Sequence, residues 1–208
     1  MDNLTMQIGG ISKPLALLLG DSISLSYRDF VKFLLQDKAE IFYTPENGRF
    51  AAYTFRALYE WSRDFYWSRD TKFVYWNNGL WDVVRIFGDE PQTPLQDYKI
   101  LIGRIYDRLK YLFPQATIIF ATTTTVDESK FDKNIFYRSN ADIEKYNKAA
   151  VQVILNKGSI VHDLYKITSE FPREAWEDST HFVLKARQIL AAHVANLLEN
   201  LLTSSRRN

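Results

Sequence analysis

The run "LLLGDSIS", residues 17–24, passes from three leucines through Gly20, Asp21 and Ser22 into a polar segment. An apolar run that stops at glycine and an acid, with helical spacing beyond it, reads as a β-strand feeding an α-helix. Ser22 then has two roles open to it. It can cap the helix, or it can stand as a nucleophile at the end of a strand.

The same kind of apolar run recurs along the chain. "PLALLLG" (14–20), "AEIFYTP" (39–45), "KFVYWNN" (72–78), "ATIIFATTTT" (116–125) and "SIVHDLY" (159–165) predict five buried strands. Between them, segments 24–37, 50–67, 94–113, 140–157 and 181–202 carry apolar residues at helical spacing. Continuous apolar strands need both faces covered, so the alternation predicts an α/β fold with a mostly parallel sheet between helices. No linker, repeat or low-complexity tract divides residues 1–208, and the length suits one domain. Two irregular stretches, 82–94 and 126–139, are expected at the rim of the functional face.

Composition narrows the function. With 26 Lys+Arg against 25 Asp+Glu, the net charge of +1 leaves no basic footprint for nucleic acid or an anionic membrane. No run approaches 18 apolar residues, and the polar start "MDNLTMQIGGISK" lacks the pattern of a signal peptide, so a cytoplasmic protein is expected. Without cysteine there is no disulfide, thiolate metal site or cysteine nucleophile. No nucleotide-binding glycine motif is present, nor G-x-S-x-G.

In open α/β sheets, ligands sit at the carboxyl ends of the strands. Ser22 and Gly48 lie just after the first two predicted strands, and Asn77 with Asn78 and Thr122 to Thr125 end the next two, so they converge on one edge. A serine there needs a base, and the chain has three histidines. His162 falls inside the fifth strand, and His193 lies in the last helix as a packed or half-exposed residue. His181, in "AWEDSTHF", follows Asp178 by three residues. A carboxylate at that spacing can turn back to the ring, fix its tautomer and stabilise the imidazolium. The plainer reading of "DST" is a helix N-cap.

Taken together, "LLLGDSIS", a glycine after the second strand, "WNNGLWD" (76–82) and "DSTH" (178–181) resemble the GDSL-type esterases and lipases of the SGNH hydrolase superfamily. The blocks occur in that family's order over nearly the whole chain. The resemblance implies a flavodoxin-like, three-layer α/β/α sandwich with a five-stranded parallel sheet. It implies Ser22 as nucleophile, His181 as base, Asp178 as its orienter, and an oxyanion hole from the Ser22 and Gly48 amides with a side-chain amide. The family's third block is usually GxND. Here Trp81 stands where that asparagine aligns, so Asn77 or Asn78 would serve from a shifted position, and a subgroup with NxGLxD at this place favours Asn77.

The implied activity is serine-dependent ester hydrolysis with no metal or cofactor. The family acts on short-chain esters, lysophospholipids, thioesters and acetylated sugars. A chain with no lipid-sized apolar insertion fits a short acyl group, namely acetyl on a carbohydrate. A thioesterase or lysophospholipase on the same triad is the alternative, as is a noncatalytic module that retains the fold. Of the tryptophans, Trp61 and Trp67 read as packing, while Trp76 or Trp81 could line the acyl pocket.

Overall fold

All five predicted strands are present in a computed structural model that describes residues 13–44, 46–64 and 67–205. The polar N-terminal start, Pro45 at the end of the second predicted strand, and residues 65 and 66 of the second predicted helix lie outside the described residues. The strands are β1 (Leu15–Leu19), β2 (Glu40–Tyr43), β3 (Phe73–Trp76), β5 (Thr117–Ala121) and β7 (Ile160–His162). They pair in parallel in the order β2-β1-β3-β5-β7, the flavodoxin-like arrangement.

The helices are α1 (Ser22–Leu34), α2 (Ala51–Asp64), α3 (Leu95–Leu112), α4 (Asn140–Asn156), α5 (Leu164–Ser169) and α6 (Leu184–Ser205). Helix α1 packs on α6, while α2 packs on α3 and α3 on α4. Right-handed crossovers put these two groups on opposite faces, because the chain leaves β1 in one direction for β2 and returns past it to β3. The result is a three-layer α/β/α sandwich. Its apolar strands are sealed, with Leu17, Val74, Tyr75, Trp76, Ile119 and Phe120 at 0% exposure. Between β1 and β3 the order reverses, and this switch point is where an open sheet offers a crevice.

Several boundaries differ from the sequence pattern, each for a local reason. The fourth strand stops at Ala121, where side chains replace the ladder: Asn147 brackets Thr123 by accepting from its N–H and donating to its carbonyl. The fifth stops at His162, because Asp163 accepts from the Lys166 N–H and starts the six-residue helix α5. The last helix begins at Leu184 and not at 181. Residues 177–181 are held in a turn, with the Glu177 N–H donating to the His181 carbonyl at 2.8 Å.

The two stretches expected to be irregular meet each other. Residues Arg85–Ile86 (β4) pair antiparallel with Phe136–Tyr137 (β6). Trp61 and Trp67 do pack, in a chain of rings that runs on to Phe113. Trp76 does not face a pocket. It is fully buried with its edge against Phe120, and its Nε1 donates to Asn78 Oδ1.

Candidate active site

Ser22 is the first residue of α1 and sits at the carboxyl end of β1, and it is not the cap of that helix. Capping falls to its neighbour: Asp21, in extended backbone, accepts the Ile23 N–H on Oδ1 at 3.0 Å. Ser22 is left partly exposed, with its N–H among the first of a helix, where no intrahelical carbonyl is available. Asp21 itself is fully buried. Burial pushes its carboxyl up, and the Asn77 amide and the Ile23 N–H pull it partly back.

The turn after residue 176 brings His181 to Ser22 from 159 residues away. His181 Nε2 lies 2.9 Å from Ser22 Oγ, and His181 Nδ1 lies 2.7 Å from Asp178 Oδ2. The other oxygen of Asp178 accepts the N–H groups of Thr180 and His181 at 2.6 and 2.7 Å. One carboxylate thus both folds the turn and holds the ring. Partial burial works against its charge, but the His181 N–H and ring and the Thr180 N–H outweigh this and keep the carboxyl below its usual range. The helix-cap reading of "DST" is not met, because Asp178 accepts N–H groups within a turn and α6 begins only at Leu184.

The remaining candidates part company. Asn78 is fully buried and committed: its Nδ2 donates to the Arg49 carbonyl at 3.1 Å and to Thr54 Oγ1 at 2.9 Å, and its Oδ1 accepts from Trp76. With both amide hydrogens in use, Asn78 is removed as an oxyanion donor. Gly48 is removed as well, because its N–H donates to the Gly20 carbonyl at 2.7 Å. Its lack of a side chain serves this close approach, since a Cβ at residue 48 would sit 2.9 Å from that same oxygen. Gly48 is a stitch between the loop before α2 and the end of β1.

Asn77 is differently placed. Its side chain is nearly buried, faces Asp21, and packs against the backbone of Gly20, two residues before Ser22. Asn77 lines a small void together with Asp21, Ile23, Tyr27, Leu80, Thr122 to Thr124 and Leu164. Asp82, the last residue of "WNNGLWD", is fully buried and accepts the Ala51 N–H on both oxygens, which pins the start of α2 to the turn after β3. Of the other histidines, His162 is tied to Tyr75, its Nδ1 2.8 Å from the phenol oxygen, and His193 is exposed on α6. Among the described residues no group of three or more His, Asp or Glu side chains is placed to hold a metal, and no helix is long and apolar enough to cross a membrane.

No family model and no curated protein matches the chain. Solved structures do. A lipase/acylhydrolase from Enterococcus faecalis superposes with a TM-score of 0.70 at 16% identity, covering 90% of this chain and 96% of that one. A carbohydrate esterase family 3 protein from Talaromyces cellulolyticus gives 0.69 at 16% identity over 92% and 99% of the two chains. An acetyl xylan esterase from Geobacillus stearothermophilus gives 0.64 at 17% identity over 89% and 94%. A GDSL-like lipase from Parabacteroides merdae is similar at 0.67 and 15%. The chain therefore has the fold of the GDSL-type, SGNH hydrolases.

Proposed function

We propose that this protein is a serine esterase that removes short acyl groups, acetyl above all, from carbohydrate esters. The observation that carries the reading is the row Asp178 Oδ2, His181, Ser22 Oγ, with links of 2.7 and 2.9 Å, at the switch point of the sheet. That row supplies a base in reach of the serine and a group that orients the base, and Ser22 itself is partly exposed. The acetyl and carbohydrate part of the reading draws support from the esterases of known structure that share the fold.

In the proposed cycle Ser22 Oγ attacks the ester carbonyl while His181 Nε2 takes its proton. The charge that gathers on the carbonyl oxygen meets the Ser22 N–H and the Asn77 amide. Each such preorganised donor is worth on the order of 3 kcal/mol of barrier. His181 then passes the proton to the leaving alcohol oxygen, the C–O bond breaks, and an acyl group remains on Ser22. Water, deprotonated by His181, attacks the acyl carbonyl and releases the acid. Asp178 stays charged throughout and stabilises the imidazolium of each half-cycle.

A fluorophosphonate probe with folded protein tests the reading. Covalent labelling at Ser22, lost in Ser22→Ala with the fold intact, is the expected result; an unlabelled Ser22 overturns it in favour of a noncatalytic module. A panel of p-nitrophenyl esters, acyl-CoA and acetylated oligosaccharides then sets the substrate class. Preference for acyl chains beyond about eight carbons moves the assignment to a lysophospholipase.

A further inference from the structure

We propose that Arg138 is a positioning residue of this site, clamping the turn that carries Asn77 to the loop that carries Asp178 and His181. The inference rests on the esterase reading. Arg138 is 3% exposed, yet none of the ion pairs among the described residues includes it. A buried, unpaired guanidinium is expensive, so its partners repay attention.

Its Nε donates to the Leu80 carbonyl at 2.5 Å and its Nη1 to Thr180 Oγ1 at 3.2 Å. Leu80 is three residues beyond Asn77 in the turn after β3. Thr180 sits between Asp178 and His181, and its own N–H is bonded to Asp178. One planar group therefore bridges the two halves of the site, which no other side chain among the described residues does by hydrogen bonds to both segments. The guanidinium is held in place by the Phe136 ring, with its carbon 4.8 Å from the ring centre, and lies 5.8 Å from that of Trp81. Immediately after it, Ser139 caps α4.

Charge adds to the clamp. The carboxylates that act on Arg138 through space are Asp21, beside the nucleophile, and Asp178, behind the base. Burial pushes the Asp21 carboxyl up and the guanidinium charge pulls it partly back, in a site that must also host an oxyanion. Lysine cannot copy this, because a single ammonium lacks the rigid fork that spans two acceptors on separate loops.

Three variants test the proposal, each with kcat, KM and the rate of fluorophosphonate labelling measured well below the unfolding temperature. Arg138→Met is expected to lower kcat roughly tenfold to a hundredfold, the effect of a small misplacement of reacting groups, with KM little changed. Arg138→Lys should recover part of that loss. Thr180→Val, close in shape, removes the link to the base loop and a 3.4 Å contact with the Ser179 hydroxyl, so it should lower kcat with the fold intact even where Arg138→Met fails to fold. Wild-type kcat in folded Thr180→Val and in whichever Arg138 variants fold would overturn the clamp, as would equal losses in stability with no change in kcat. A wild-type protein that neither turns over esters nor labels at Ser22 would instead defeat the esterase reading on which the clamp stands.

Discussion

Gly20 and Asn77 are packed so closely that a Cβ added at residue 20 would lie 1.9 Å from Asn77 Oδ1 and 2.7 Å from Ser24 Cβ. The glycine of "LLLGDSIS" is there for its neighbour across β1 and β3, not for backbone freedom. Gly20→Ala is therefore expected to push Asn77 aside. Overpacking of this kind costs about 1–3 kcal/mol, and displacing the proposed oxyanion donor should lower kcat as well. In Gly20→Ala/Asn77→Ala the closer clash is gone while that with Ser24 Cβ stays, so unfolding measurements should show part of the stability restored. Additive losses in the double variant would show that the two residues do not interact.

The two asparagines separate kinetically. Asn77→Ala should lower kcat by about 10²–10³, the loss seen when one oxyanion donor is removed, with KM nearly unchanged. Asn78→Ala strips partners from Arg49, Thr54 and Trp76 and should act mainly on stability. Steady-state kinetics beside thermal melts check the split, and the reverse pattern would return Asn78 to the site.

Asp178→Asn leaves a side chain of the same shape that no longer selects the ring tautomer. In a sealed triad that change costs about 10⁴ in kcat. Here the Asp178 side chain is 56% exposed, so water can stand in for part of its role and the loss should be smaller. Burst and steady-state kinetics on p-nitrophenyl acetate measure it. Undiminished turnover would remove Asp178 from the triad.

Much of this was legible in the sequence, and the limits have physical causes. Strands such as "LALLL" and "TIIFA" announce themselves because both faces are buried, and the serine, histidine and aspartate stand out because few residues can do their chemistry. Gly48 misled because its N–H is claimed by Gly20, a contact between two loops that no local pattern encodes. Asn77 and Asn78 are adjacent in sequence, and only the three-dimensional partners of Asn78 tell them apart. The pairing of β4 with β6 rests on two residues from each strand, too few for an alternating pattern, so Arg138 at its end went unnoticed.

His162 should make the protein sensitive to mild acid. Burial, reinforced by repulsion from His193, lowers its pKa to about 4 from 6.5, against a weaker opposing pull from Asp163. The folded state thus binds this proton less tightly than the unfolded chain does. The stability tied to the neutral ring is fully present above pH 6.5 and is lost as pH falls toward 4. His162→Gln should flatten the stability profile over that window, as read by urea unfolding at several pH values. A profile as steep as that of the wild type would assign the acid sensitivity to other groups.

Asp82 acts with the opposite sign. Burial, helped by the charge of Asp21, raises its pKa to about 7 from 3.8, while the Ala51 N–H and Thr93 restrain the shift. In the window between those values the folded protein holds a proton that the unfolded chain has released. Stability is therefore lost as pH rises through the window, with a limiting slope of about 1.4 kcal/mol per pH unit. Asp82→Asn keeps an acceptor for the Ala51 N–H and has no proton to lose, so its stability relative to wild type should improve between pH 5 and pH 7.5. Urea unfolding of both proteins at the two pH values gives the comparison. A constant difference would mean that Asp82 is charged in the folded protein across the whole window, and that the junction between the β3 turn and α2 tolerates a buried anion.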